Sequence, residues 1–140
     1  MTVEQFRITH STLIEHYQFI EHHLEGIYAS LSVKNFVSGL EDVETCNIRK
    51  IVLEIQRIES EKKLSIISQD IYDRIEQARL RRNYWCHNCY VDMVFKLNGE
   101  PKKDEDIKFL LKDVREAEDL RDILFHLKQP LIKVKYPNLN

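Results

Sequence analysis

Glycine and proline are scarce in this sequence: three of each in 140 residues leave few sites for tight turns and no tract for a flexible linker. No repeat or low-complexity stretch is present either. Cysteine is equally scarce, and an odd count of three excludes a fully paired disulfide framework, so a reducing cytoplasm is the expected location. The opening residues, Met1 to Gln5, carry neither the basic nor the apolar segment of a secretory leader. Long hydrophobic runs are missing because charged residues interrupt every apolar segment before the roughly 18 to 20 residues that cross a bilayer, and no membrane association is expected. Charge of one sign is not in excess: 21 basic against 23 acidic residues exclude a protein that coats duplex nucleic acid with a basic surface, so any nucleic acid must meet a local patch. No phosphate-binding loop, dinucleotide fingerprint, serine-hydrolase elbow or zinc-protease motif occurs, and no cofactor is expected.

What is present is a hydrophobic content of 43%, enough for one domain with its own core, spaced at helical intervals. Thr2 and Gln5 have capping-box form, and the apolar spacing from Phe6 to Leu31 predicts a helix over 3–31, with Gly26 marking either a close neighbour or a tolerated defect. Ser38 and Glu41 repeat the capping pattern ahead of the stripe Ile48, Ile51, Val52, Ile55, Ile58, which predicts a second helix over about 39–62. Ser68 caps a third, whose stripe runs through Ile71, Ile75, Ala78, Arg82, Cys86, Cys89 and Met93 to a break at Asn98 to Pro101. Asp104 caps a fourth, stopped by Pro130, and Leu131 to Asn140 read as an extended arm. The expectation is an all-α, four-helix antiparallel bundle, with a domain over 1–128 and a tail over 129–140.

The stretch Arg79 to Tyr90, R-L-R-R-N-Y-W-C-H-N-C-Y, departs most from the needs of a plain bundle. Arg82 falls on the apolar stripe, where a guanidinium needs a partner, a wet cleft or a second subunit. Arg82-Asn83-x-x-x-His87 on the penultimate predicted helix resembles the R-x(4-6)-H motif of the HEPN superfamily, and the approach from Ile71 to Asn83 is similar too. The likeness covers residues 68 to 95 and is closest in form to the toxin of nucleotidyltransferase and HEPN toxin–antitoxin pairs. That resemblance implies a metal-independent endoribonuclease working as a homodimer, with RNA as substrate and a nucleotidyltransferase antitoxin as partner. In related toxins a Tyr two residues after the His receives AMP; Cys89 stands there, so the resemblance does not carry that role to Tyr90.

The chemistry suits these residue types. Cutting RNA without a metal needs a proton moved at the 2'-hydroxyl or the leaving 5'-oxygen, and a cation at the phosphate. His87, an imidazole able to take or give a proton, fits the first task, and Arg82, permanently charged and bidentate, fits the second. Asn83, one turn before His87, is the candidate to orient it. Five residues along a helix turn about 140°, so Arg82 and His87 diverge within one copy, and a two-fold dimer through this helix is expected to unite them. Arg79, Arg81, Tyr84 and Trp85 interleave charge and aromatic rings as candidate RNA contacts.

Blander readings stand beside these. Tyr84 and Trp85 also suit a core or an interface, and Arg82 a structural ion pair. Cys86 and Cys89 form a C-x-x-C without a second ligand pair, expected as packing cysteines and not a metal site. His16, His22 and His23 lie among carboxylates on the first helix but lack paired Glu-x-x-His motifs, so no metal is expected there. The alternative function is a catalytically inactive helical dimer that binds a partner protein.

Overall fold

The computed structural model describes residues 1–87, 89, 90, 93 and 103–135, the last stretch with side chains from residue 108 onward. Five helices and no strand occur among the described residues: α1 (Val3–Leu31), α2 (Phe36–Val43), α3 (Ile48–Lys62), α4 (Gln69–Cys86) and α5 (Lys103–Lys135). None of them is long and apolar enough to cross a membrane.

Helix α1 has the predicted limits, and its capping box is formed in both directions: Gln5 N–H donates to Thr2 Oγ1 at 3.1 Å and Thr2 N–H to Gln5 Oε1 at 2.8 Å. It is the central helix, lying mainly against α5 and also meeting α2, α3 and α4. Phe6, Leu13, Ile20, Leu24 and Ile27 are fully buried along it and meet Ile51 and Ile55 of α3 and Leu110, Leu120 and Leu124 of α5 in one core. Its C-terminal carbonyls, which have no intrahelical donors, are met from a distance. Lys62 Nζ donates to Leu31 O, and Lys135 Nζ to Ala29 O and Ser32 O, at 2.7 to 2.8 Å.

The helix expected over 39–62 is two helices. Asn35 accepts Ser38 N–H and Asn47 accepts Lys50 N–H, each at 2.9 Å, so two Asn caps start two elements and Ser38 lies inside the first. Gly39 lets α2 lie directly on α1, since a Cβ there would stand 2.9 Å from the Ala29 Cα. Helix α3 ends at Lys63 in the left-handed region (φ 54°), and the buried Glu59 carboxylate then accepts Ile66 and Ile67 N–H and the Tyr72 hydroxyl, closing the turn into α4.

Two further expectations are corrected at the C-terminal end. Pro130 does not stop α5, which continues to Lys135, so Leu131 to Lys135 are helical and not an extended arm. Proline costs one backbone bond, but the last turn is fastened to the end of α1 by the three carbonyls that Lys135 meets, Lys34 O being the third. Asp104 lies in the first turn instead of preceding it. The remainder of the tail, 136–140, and the Asn98 to Pro101 break lie outside the described residues.

Gly26 marks a close neighbour: a Cβ there would stand 2.6 Å from Lys128 Cδ. The lysine stem crosses α1 at that notch, and its ammonium donates to His23 Nδ1 at 2.8 Å. Burial first, then the charges of Lys128, His22 and Arg121, push the His23 imidazole down from its ordinary 6.5 to about 4. Between those values the unfolded chain carries a proton on His23 that the folded chain does not. Stability therefore falls as pH drops from about 6.5 to 4, by at most about 3 kcal/mol. Asp42, Glu54 and Glu76, held low by Lys34, Arg57 and Arg79, lose their contributions in acid as well. Comparing urea unfolding of wild type and His23→Gln across this window isolates the histidine: the variant's curve is expected to be the flatter by that amount.

Candidate site at the end of helix α4

Helix α4 starts where predicted, with Ser68 Oγ accepting Ile71 N–H, but ends at Cys86 and does not run on through Met93. No glycine or proline lies between Gly39 and Gly99, so nothing local dictates this stop. It is imposed by α1. Buried His10 places Nε2 2.8 Å from the Trp85 carbonyl; a carbonyl only accepts, so Nε2 carries the proton and Nδ1 is left to accept the Tyr90 hydroxyl at 3.0 Å. Cys89 Sγ donates to the same carbonyl at 2.9 Å. With that oxygen engaged, His87 turns to extended backbone (φ -122°, ψ 134°), and Cys89 N–H bonds His87 O at 2.6 Å. The Tyr90 hydroxyl is held above its ordinary pKa, by burial first.

A second anchor comes from α5. Asp113 Oδ2 accepts both the Trp85 indole N–H and Arg81 Nε–H, each at 2.7 Å. Trp85 is only 1% exposed, so it is a core ring, the reading that stood beside its candidate role as an RNA contact. Tyr84, 38% exposed, keeps an accessible face, and the Arg81 guanidinium lies 5.0 Å from its ring centre. A groove of about 470 Å³ runs along the same face between α4 and α5, lined among others by Tyr17, Arg74, Arg81, Phe109 and Asp113.

Arg82 is half-buried and finds the partner that its stripe position demands: Glu21 of α1, with Nη2 to Oε2 at 3.4 Å. Asn83 and His87 are exposed. The His87 ring makes no hydrogen bond or ion pair with any described residue, and none joins it to Asn83. Because the helix ends between Arg82 and His87, the expected 140° divergence along one continuous helix no longer applies. Arg79 is bound by Glu76 at 2.6 and 2.9 Å, and Arg74 by Asp119 at 2.7 Å. Each of the four arginines of α4 thus meets a carboxylate: Arg79 from Glu76 of the same helix, and Arg74, Arg81 and Arg82 from Asp119, Asp113 and Glu21 of other helices.

Sequence reasoning missed Glu21, Asp113 and His10. His10 and Asp113 carried a signal, since each sits at a helical interval among apolar residues: His10 four after Phe6 and three before Leu13, Asp113 three after Leu110 and four before Ala117. The C-x-x-C straddles the end of α4, with Cys86 exposed and Cys89 buried against His10. Among the described residues no group of three His, Cys, Asp or Glu side chains could hold a metal ion. On α1, His16 and His23 face Arg121 and Lys128. No family model matches the chain, and neither a curated protein nor a solved structure matches it.

Proposed function

We propose that this chain is a HEPN-like, metal-independent endoribonuclease, a four-helix antiparallel bundle in type, that acts as a two-fold cytoplasmic homodimer in a toxin–antitoxin or defence setting. The observation that carries the reading is the exposed ring of His87, which bonds to no described residue, just beyond α4 and five residues from a guanidinium held only loosely by Glu21. A histidine serving the fold would be buried or bonded, as His10 is. In the proposed reaction His87 takes the proton of the 2'-hydroxyl, the freed oxygen attacks phosphorus as its bond to the 5'-oxygen breaks, and the 5'-oxygen leaves with a proton from water, His87 then releasing its own to solvent. Arg82 holds the non-bridging oxygens as charge shifts onto them. Asn83, beside Arg82 at the surface, serves as a hydrogen-bonding group for the same phosphate, while Arg79, Arg81 and Tyr84 guide the strand. Exposed Leu80 on α4 gives a second copy an apolar side chain to meet.

The test is a labelled RNA panel incubated with the protein in EDTA. Cleavage leaving 2',3'-cyclic phosphate ends is the expected result, and absence of cleavage by folded protein rejects the reading. A second reading is favoured by the carboxylates that hold Arg79, Arg81 and Arg82 beside exposed Leu80. There α4 is a docking face of an inactive dimer for a protein partner such as a nucleotidyltransferase. Sedimentation with that partner, without cleavage, distinguishes it.

A further inference from the structure

The seam between α1 and α5 holds a cluster that the α4 site does not use. Lys128 is only 8% exposed, yet its one polar partner among the described residues is a neutral nitrogen, His23 Nδ1. The other lysines drawn against the fold have oxygen acceptors: Lys62 and Lys135 bind backbone carbonyls, and Lys34 binds Asp42. Burying an ammonium without an anion is costly, and at this position a leucine or methionine would pack without that cost. Gly26 adds to the expense, because glycine inside a helix is unfavourable and the atoms a Cβ would meet here are those of the Lys128 stem. Two choices that weaken the fold thus cooperate to deliver one cation.

The surroundings extend the pattern. Arg121 lies two turns before Lys128 on the same face of α5, about 10 Å away by helix geometry. Its guanidinium covers the Phe19 ring at 3.8 Å, with His16 Nδ1 at 3.2 Å and the Glu15 carboxylate at a loose 3.8 Å. The Phe19 and Phe125 rings flank His23 at 6.0 and 5.7 Å and are 37% and 41% exposed. With Nδ1 accepting from Lys128, His23 keeps its proton on Nε2 as a neutral donor.

We propose that this seam binds the phosphate of a nucleotide, with Lys128 and Arg121 as the cations, His23 as a neutral donor, and Phe19 and Phe125 as the walls for the base. The anion supplies the partner that Lys128 lacks, and exposed aromatic rings beside a phosphate accept the flat face of a base. The depressed affinity of Lys128 for its proton, caused by burial, agrees with an ammonium awaiting its counter-charge. None of this rests on the ribonuclease reading.

Titrating labelled protein with inorganic phosphate, adenosine monophosphate and a short single-stranded oligoribonucleotide, while following the His22 and His23 ring resonances, tests it. Saturable shifts of His23 are expected, with the nucleotide binding about tenfold more tightly than phosphate. Lys128→Met should keep the fold, since it removes a buried charge, and lose about tenfold or more in affinity; Gly26→Ala, which displaces the stem, should weaken binding likewise. Tighter binding of the oligoribonucleotide supports the assignment and makes chain phosphates the source. Equal affinity for phosphate and nucleotide overturns the nucleotide assignment. Absence of a saturable shift with all three probes, or unaltered binding by Lys128→Met, overturns the site.

Discussion

RNA cleavage by His87→Ala is expected to fall by about 10²- to 10⁴-fold, the usual contribution of a positioned acid or base. The ring is exposed and bonds to no described residue, so its removal should change stability by no more than about 0.5 kcal/mol. Loss of activity in this variant is therefore chemical and not a consequence of unfolding. Arg82→Ala should lose cleavage to a similar degree, but it also leaves Glu21, 23% exposed, without its cation, and a modest fall in melting temperature accompanies it. Arg82→Lys keeps the charge but not the bidentate geometry, and should recover stability more fully than cleavage. Mixing the two inactive proteins provides a further check: if the site is shared across a dimer, Arg82→Ala and His87→Ala subunits should restore part of the activity in heterodimers. Retention of full cleavage by His87→Ala would reject the assignment.

Local signals were legible in the sequence. The capping box of Thr2 and Gln5 and the apolar spacing up to Leu31 define α1, and Ser68 defines the start of α4. The all-helical class follows from the same periodicity, together with the shortage of turn-forming residues. The division between α2 and α3 was also written locally, in Asn47, but the apolar stripe from Ile48 onward reads equally well as the continuation of a helix already begun. Other features depended on partners distant in the chain. The end of α4 is set by a histidine 75 positions earlier, and the passage of α5 through Pro130 by carbonyls more than 100 positions earlier. No window of sequence contains both halves of such an interaction.

The candidate site divides in the same way. That Arg82 needs a partner could be read from its place on the stripe; that the partner is Glu21 could not. The aromatic pair Tyr84 and Trp85 looked equivalent as a sequence, yet one rotation step along the helix separates an exposed ring from a buried one. The arginines from Arg74 to Arg82 have few acidic partners when only neighbours in the chain are counted. Folding brings Asp113, Asp119 and Glu21 to three of those arginines.

Asp113→Ala should destabilise the protein by about 2 to 4 kcal/mol, the largest effect expected of a single polar side chain near the site. One carboxylate oxygen serves two donors, and removing it leaves the indole N–H of a ring that is 1% exposed with no acceptor. Arg81 suffers less, because 37% of its side chain reaches solvent and water can replace the lost partner. Asp113→Asn retains an oxygen without the charge and should cost about 1 kcal/mol. Trp85→Phe removes the donor instead, so in the double variant with Asp113→Ala the penalty should be smaller than the sum by about 1 kcal/mol or more, as measured by urea unfolding. Additive losses would mean that the indole bond contributes nothing. The consequence reaches the chemistry through the backbone: Trp85 gives its carbonyl to His10 two residues before His87. Loosening its ring therefore loosens the turn that carries the candidate catalytic imidazole. Asp113→Ala should lower kcat for RNA cleavage through the placement of His87, and it should raise KM as well, because Asp113 also holds Arg81, one of the groups proposed to guide the strand.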